Sequence, residues 1–313
     1  MFIQTTSGDS SDQEKTLSCI RKLYGPDYEK YVVNKNTGGK SGKKGGRYED
    51  LFVAFKAAEV AASQVEVPET PWPFLVGQKL NFVDDAVLFS ESETEYFQLK
   101  NSTSVSWGAG DKSIADDFSK QVILAQELGH INPYTHLIVS SESLHTKLSL
   151  DIPNEIKTHT RVSFFPYAGD GRINSLVIGD RYVQEILAKI ICTDEASLDV
   201  MESALTLILA ACNEHPEGAS VEDIIAYVQL RYPGKLRVFP VRDCSEALSE
   251  AFVSALAKIK DLCYGIFRGY FDWFGYGTSG FFPHDCFSDQ FKKFQEQIVE
   301  AAPATFDDFE KLV

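Results

Sequence analysis

Between residues 74 and 101 the chain reads FLVGQKL, FVDDAVLF and EYFQLKN, three short runs rich in β-branched and aromatic residues. The polar ESET between the second and third makes them a hairpin candidate. Helix-period sequence stands on both sides. From Tyr48 to Ser63 the residues Leu51, Phe52, Phe55, Ala58 and Ala62 recur at three- and four-residue spacing, until Pro68, Pro71 and Pro73 break the chain. Residues 114–129 repeat the helical period. THLIVSS at 135–141 is a continuous apolar strand of the kind buried in a sheet core, and RVSFFPY at 161–167 reads as another. Helix, three strands, helix, strand and strand predict an α/β module of about 165 residues.

The remainder divides differently. Residues 10–24 predict a short helix around Leu17, Ile20 and Tyr24, ended by Gly25-Pro26. The segment 34–46 is rich in Gly, Lys and Asn and predicts a flexible loop. Its GGKS lacks the glycine that a phosphate-binding loop requires at 34, where Asn34 stands. Beyond Asp180, residues 180–191, 196–214, 220–232 and 245–267 all carry helix-period apolar stripes. GRI at 171–173 marks the boundary, giving an α/β domain over 1–170 and a mostly helical domain over 171–313. GYFDWFGYGTSGFF at 269–282 reads as a core corner with tight turns, or as a sticky surface for a partner or self-assembly.

Charge limits the partners. Lys and Arg number 30 against 45 Asp and Glu, a formal net charge of −15, which argues against coating nucleic acid by bulk charge. The excess is uneven: 17 basic against 23 acidic residues over 1–170 gives −6, and 13 against 22 over 171–313 gives −9. Residues 31–47 hold Lys35, Lys40, Lys43, Lys44 and Arg47 with no acid, and are the expected place of any phosphate contact. Six irregularly spaced cysteines fit no disulfide framework or paired zinc motif, and His284, Cys286 and Cys263 match no usual zinc spacing. With no basic-then-apolar leader and no 18-residue apolar run, the expectation is a cytoplasmic protein with reduced thiols.

One constellation stands out: Glu49 on the first long helix, Asp84-Asp85 in one strand, and Gln98-x-Lys100 in the next. Strand alternation places Gln98 and Lys100 on one face and lets only one of the two aspartates share it. Buried acids and a lysine are costly unless they meet partners or a metal. Carboxylates and an amide oxygen suit a hard divalent cation. These motifs, Gly45-Gly46-x-Tyr48-Glu49, Val83-Asp84-Asp85 and Phe97-Gln98-Leu99-Lys100-Asn101, resemble the PD-(D/E)xK, or restriction-endonuclease-like, superfamily. The closer likeness is to the nuclease module shared by CBASS effectors and the Lamassu nuclease subunit, where a similar tryptophan-bearing loop is matched by Trp107. The likeness covers roughly residues 40–140.

The resemblance implies a restriction-endonuclease-like mixed-sheet core and a metal-dependent DNA endonuclease of bacterial anti-phage defence. Glu49 and Asp85 would be metal-ligating acids, with Asp84 the alternative to Asp85. Gln98 would stand where the superfamily has its second acid, and Lys100 would be the catalytic lysine. Mg2+ or Mn2+ would be the cofactor. Lys40, Lys43, Lys44 and Arg47 would meet DNA. The helical domain would bind partners, an SMC-like ATPase and an accessory defence subunit, or drive homo-oligomerisation; in a CBASS-type effector a cyclic oligonucleotide would activate instead. The rival reading is a non-catalytic DNA- or protein-binding adaptor with a degenerate nuclease fold. A purely structural reading stands beside both: Glu49 and Asp50 complement a helix dipole, Asp84-Asp85 form an exposed hairpin edge, and Lys100 deters edge pairing.

Overall fold

The computed structural model describes residues 10–41, 43–68, 70–167, 169–193, 196–244 and 246–313, with the side chains of 10 and 38–45 outside the description. The chain opens with helices α1 (Ser10–Tyr24), α2 (Pro26–Ser41) and α3 (Lys43–Glu66). Strands β1 (Phe74–Gly77), β2 (Ala86–Phe89) and β3 (Thr94–Lys100) form an antiparallel meander. Helix α4 (Ile114–Glu127) then crosses to β4 (Pro133–Val139), and α5 (Glu142–Leu150) to β5 (Thr160–Phe164), both parallel to β3. Next come α6 (Ile173–Gly179), α7 (Arg181–Ile190), α8 (Leu198–Glu214), the two-residue β6 (Ala219–Ser220) and α9 (Val221–Arg231). The sheet order is β5-β4-β3-β2-β1-β6, a mixed sheet in an α/β core.

Helix α3 is the spine of this core. Phe52 and Phe55 face the sheet side, where their rings meet Phe97 and Phe165. Ala54, Ala57 and Ala61 lie on the adjoining side and are fully buried as well, because α7, α8 and α9 pack over the helix. A helix apolar on more than one side is one that is enclosed. Tyr182 donates to Glu59 at 2.6 Å and Lys189 to Glu66 at 2.5 Å, tying α7 to it. One continuous apolar cluster therefore runs from Tyr48 through the sheet to Leu236, and the expected division at 170/171 falls inside it. On the opposite face α4 and α5 cover Val76, Val87, Tyr96 and Leu137, and α1 and α2 pack outside α4.

Several expectations need correcting. Residues 34–41 are helical, the last two turns of α2, and the chain resumes as helix at Lys43. Pro26 begins α2 with Asp27 and Glu29 in its first turn, and tertiary contacts offset the weak propensity of its glycines. Strand β2 starts at Ala86, so Asp84 and Asp85 precede it. The helix expected over 245–267 ends early: α10 (Glu250–Leu256) gives way at Asp261, with φ +63°, to β7 (Cys263–Phe267).

Strands β8 (Tyr270–Gly275) and β9 (Thr278–Asp285) complete a second, three-stranded sheet. It is backed by α11 (Asp289–Ala301) and α12 (Phe306–Glu310). The aromatic–glycine run is thus paired strand around a turn. Phe271 and Trp273 are buried in a separate core with Phe252, Phe291 and Phe309, while Phe274 and Tyr276 point outward. Among the described residues no helix is long and apolar enough to cross a membrane.

Candidate functional site

The carboxylates are placed by backbone hydrogen bonds. Gln121, fully buried on α4, accepts with its Oε1 from the amides of Phe82 (3.0 Å) and Val83 (3.1 Å), holding the chain just ahead of Asp84. Gln78 sits after β1 with φ +47°. That turn lets its amide donate to the Asp85 carbonyl at 2.9 Å and its side chain to Glu49 Oε2 at 2.8 Å. Because both aspartates lie in this held segment rather than in a strand, alternation does not separate them. Asp84 and Asp85 are both buried.

Asp85 is clamped from β3. Its Oδ2 accepts from the Leu99 amide at 2.6 Å and from the Gln98 side-chain amide. Gln98 turns its Oε1 the other way, where it accepts from Lys35 Nζ at 2.8 Å. Its orientation is fixed chemically, since an ammonium only donates and a carboxylate only accepts. Lys100, two residues on and on the same strand face, lies close enough for its charge to favour ionisation of Glu49, Asp84 and Asp85. Among the described residues it makes no hydrogen bond or ion pair.

The charges of these groups act on one another. Burial pushes Asp84 up to about 6, with Lys35 opposing and Asp85 adding to the rise. Asp85 is raised by burial and then by the charge of Glu49. Glu49 is raised by burial, while its bond from Gln78 pulls the other way and Asp84 and Asp50 push it further up. Glu49, Asp84, Asp85, Gln98 and Lys100 therefore lie within reach of one another's charges or hydrogen bonds.

Sequence reasoning missed two members. Lys35 of α2 reaches into the group. Besides Gln98 it donates to Asp117 Oδ2 at 2.9 Å and to the Phe82 carbonyl, and it lies 3.4 Å from Asp84 Oδ1. Burial alone would depress the ammonium, but Asp84, Asp117 and Asp85 hold it above its ordinary range. Asp117 of α4 is buried and also accepts from the Tyr31 hydroxyl at 2.8 Å. In the sequence it is an ordinary first-turn acid behind the Ser113 cap, and no signal marked it. Lys35 was visible only as part of the acid-free basic run.

The expected DNA contacts fare differently. Lys40, Lys43 and Lys44 lie on the α2–α3 junction, and their side chains fall outside the described residues. Arg47 donates to the Gly171 carbonyl at 3.1 Å, a strap between α3 and the approach to α6. Trp107 is buried against Phe118 and donates to the Leu148 carbonyl at 3.1 Å, a packing role. His130 meets the Tyr96 hydroxyl, His136 lies 3.0 Å from Glu95, and Cys286 is directed at Cys244 across 3.6 Å.

Among the described residues no three His, Cys, Asp or Glu side chains form a ready metal cage. The donor set nonetheless suits a hard cation. Asp84 Oδ1 is buried without a hydrogen-bond partner, and Asp84, Gln98 and Asp117 already turn oxygens toward one positive charge, the ammonium of Lys35. No protein-family model, curated protein or solved structure matches this chain.

Proposed function

We propose that this chain is a metal-dependent DNA endonuclease. The observation carrying the reading is the convergence of a helical acid, two acids ahead of a strand, and a Gln-x-Lys strand on one buried group. The mixed sheet with helices on both faces agrees with the restriction-endonuclease-like core that the resemblance implies. Bound Mg2+ or Mn2+ would supply an activated water and neutralise developing charge on phosphorus. Glu49, Asp84, Asp85 and the Gln98 carbonyl are the residues that would hold it. Lys100, unpaired among the described residues, is free to meet a phosphate oxygen and balance its charge. The Leu99 amide and the Gln98 side chain keep Asp85 in one orientation, so little reorganisation is needed at the reacting centre.

The role as effector of a bacterial anti-phage system, Lamassu-like with an SMC-like ATPase and accessory subunit or CBASS-like, rests on the resemblance. Neighbouring genes decide between the two: an SMC-like ATPase favours the first, a nucleotide cyclase the second. A specific observation favours the rival reading of a non-catalytic adaptor, since the Lys35 ammonium already neutralises part of the acid group.

Supercoiled plasmid incubated with the full chain and Mn2+, alone and with the products of its neighbouring genes, separates the readings. Nicking that disappears in Lys100→Ala and Asp85→Asn, with circular dichroism unchanged, supports the nuclease. Absence of nicking in every condition, or equal nicking by the variants, supports the adaptor.

A further inference from the structure

Lys35 holds its ammonium where an ion would sit. Four oxygens, from β3, α4 and the β1–β2 connection, converge on Nζ: Gln98 Oε1 at 2.8 Å, Asp117 Oδ2 at 2.9 Å, Asp84 Oδ1 at 3.4 Å, and the Phe82 carbonyl. An ammonium has three protons to donate, so four oxygen neighbours exceed what its hydrogen bonds require. Two orphaned oxygens add to the case: Asp84 Oδ1, the atom that faces Nζ, and Asp117 Oδ1, the second oxygen of that carboxylate. Both side chains are more than nine-tenths buried, and neither Oδ1 has a hydrogen-bond partner. An all-oxygen, acid-rich cavity filled by a single charge on a flexible stem is an arrangement that a divalent cation can fill more completely.

We infer that Lys35 is a tethered cation occupying the ion position of the site, and that a divalent metal binds by displacing it, with Asp117 joining Asp84 and Gln98 as a donor. The inference rests on the metal-dependent reading above and adds a donor and a gate to it. Two of the oxygens that Lys35 engages belong to the metal-holding residues, so ammonium and metal exclude one another. The apparent metal affinity is then the intrinsic affinity reduced by the fraction of molecules in which the lysine has left. The stem of Lys35 rises from α2, which is anchored on α4 through Tyr28 and Tyr31. Anything that draws α2 away from α4 withdraws the ammonium and opens the site.

The full chain is titrated with Mn2+ alone, by calorimetry and by the paramagnetic signal of free Mn2+. Lys35→Met and Lys35→Gln are expected to bind Mn2+ at least about tenfold more tightly than the unsubstituted chain. Equal or weaker binding by these variants, when folded, overturns the proposal.

A second measurement needs no variant. Lys35 in the unsubstituted chain is expected to resist an amine-acylating reagent without metal and to become labelled at saturating Mn2+, as read by mass spectrometry of its peptide. Continued protection at saturating Mn2+ overturns the gate while leaving the nuclease reading intact. Failure of the chain and both variants to bind Mn2+ at all removes both.

Discussion

Gln121 decides where Asp84 sits, because one carbonyl oxygen satisfies two consecutive buried amides. Gln121→Leu keeps the volume and strips both amides of their acceptor. A cost of about 2–4 kcal/mol in chemical denaturation is expected, together with loss of any Mn2+-dependent stabilisation. Unchanged metal response in that variant would mean that Asp84 does not need its fixed approach. Gln98→Glu is the complementary exchange. It removes the donor to Asp85 and sets two carboxylates in contact, so the metal-free chain should lose about 1–3 kcal/mol. Added Mn2+ should restore the loss in thermal melts, and a loss that Mn2+ leaves untouched would exclude the residue as a metal donor.

Away from the site, burial holds His130 at about 4, against an ordinary 6.5. The unfolded chain takes up that proton first as the pH falls, so the native state is progressively disfavoured from pH 6.5 down to about 4. After allowance for partial exposure, the contribution is about 1–3 kcal/mol. His130→Phe should flatten that part of the stability–pH curve. An unchanged slope would place the titration elsewhere.

At the scale of elements, the short β6 depends on one glycine. Gly218 has φ +87°, and a Cβ there would stand 2.8 Å from the Leu75 carbonyl, the Phe74 ring and Val76. Gly218→Ala should destabilise by about 2–3 kcal/mol and release β6 from the sheet edge, seen as faster amide exchange at Leu75 and Ala219. The elements easiest to read from sequence were those whose period matched their burial: α3, the β2–β3 hairpin, α4 and β4. Helix α2 was not legible, because Asn34, Asn36 and the glycines oppose it locally. It is held by Val32 in the core and by Tyr31 and Lys35 on α4 acids. Strand β7 was hidden for a similar reason, since CYGIF fits either period until its pairing with β8 decides. The site itself was legible as far as its motifs reach. Lys35 and Asp117 were not, because their meeting joins residues 82 positions apart that carry no local pattern.

Over the whole molecule, the charge of −15 and the single basic run predict few phosphate contacts per chain. Plasmid cleavage should therefore fall about tenfold or more between roughly 50 and 200 mM KCl, and clustering of several chains should offset the loss. Salt-insensitive cleavage by a monomer would contradict this. The expected division at 170/171 lies within one apolar cluster: α7–α9 look like a self-contained bundle in sequence, and their apolar stripes close over α3.

That enclosure has a genetic consequence. Glu49 rides on a helix that cannot turn about its axis without repacking the sheet on one side and α7–α9 on the other. Enlarging Ala57 or Ala61 by even two methyl groups should cost about 1–3 kcal/mol. Heat-sensitive alleles should then map to those alanines and to the inner faces of α7 and α8, which touch none of the clustered carboxylates directly.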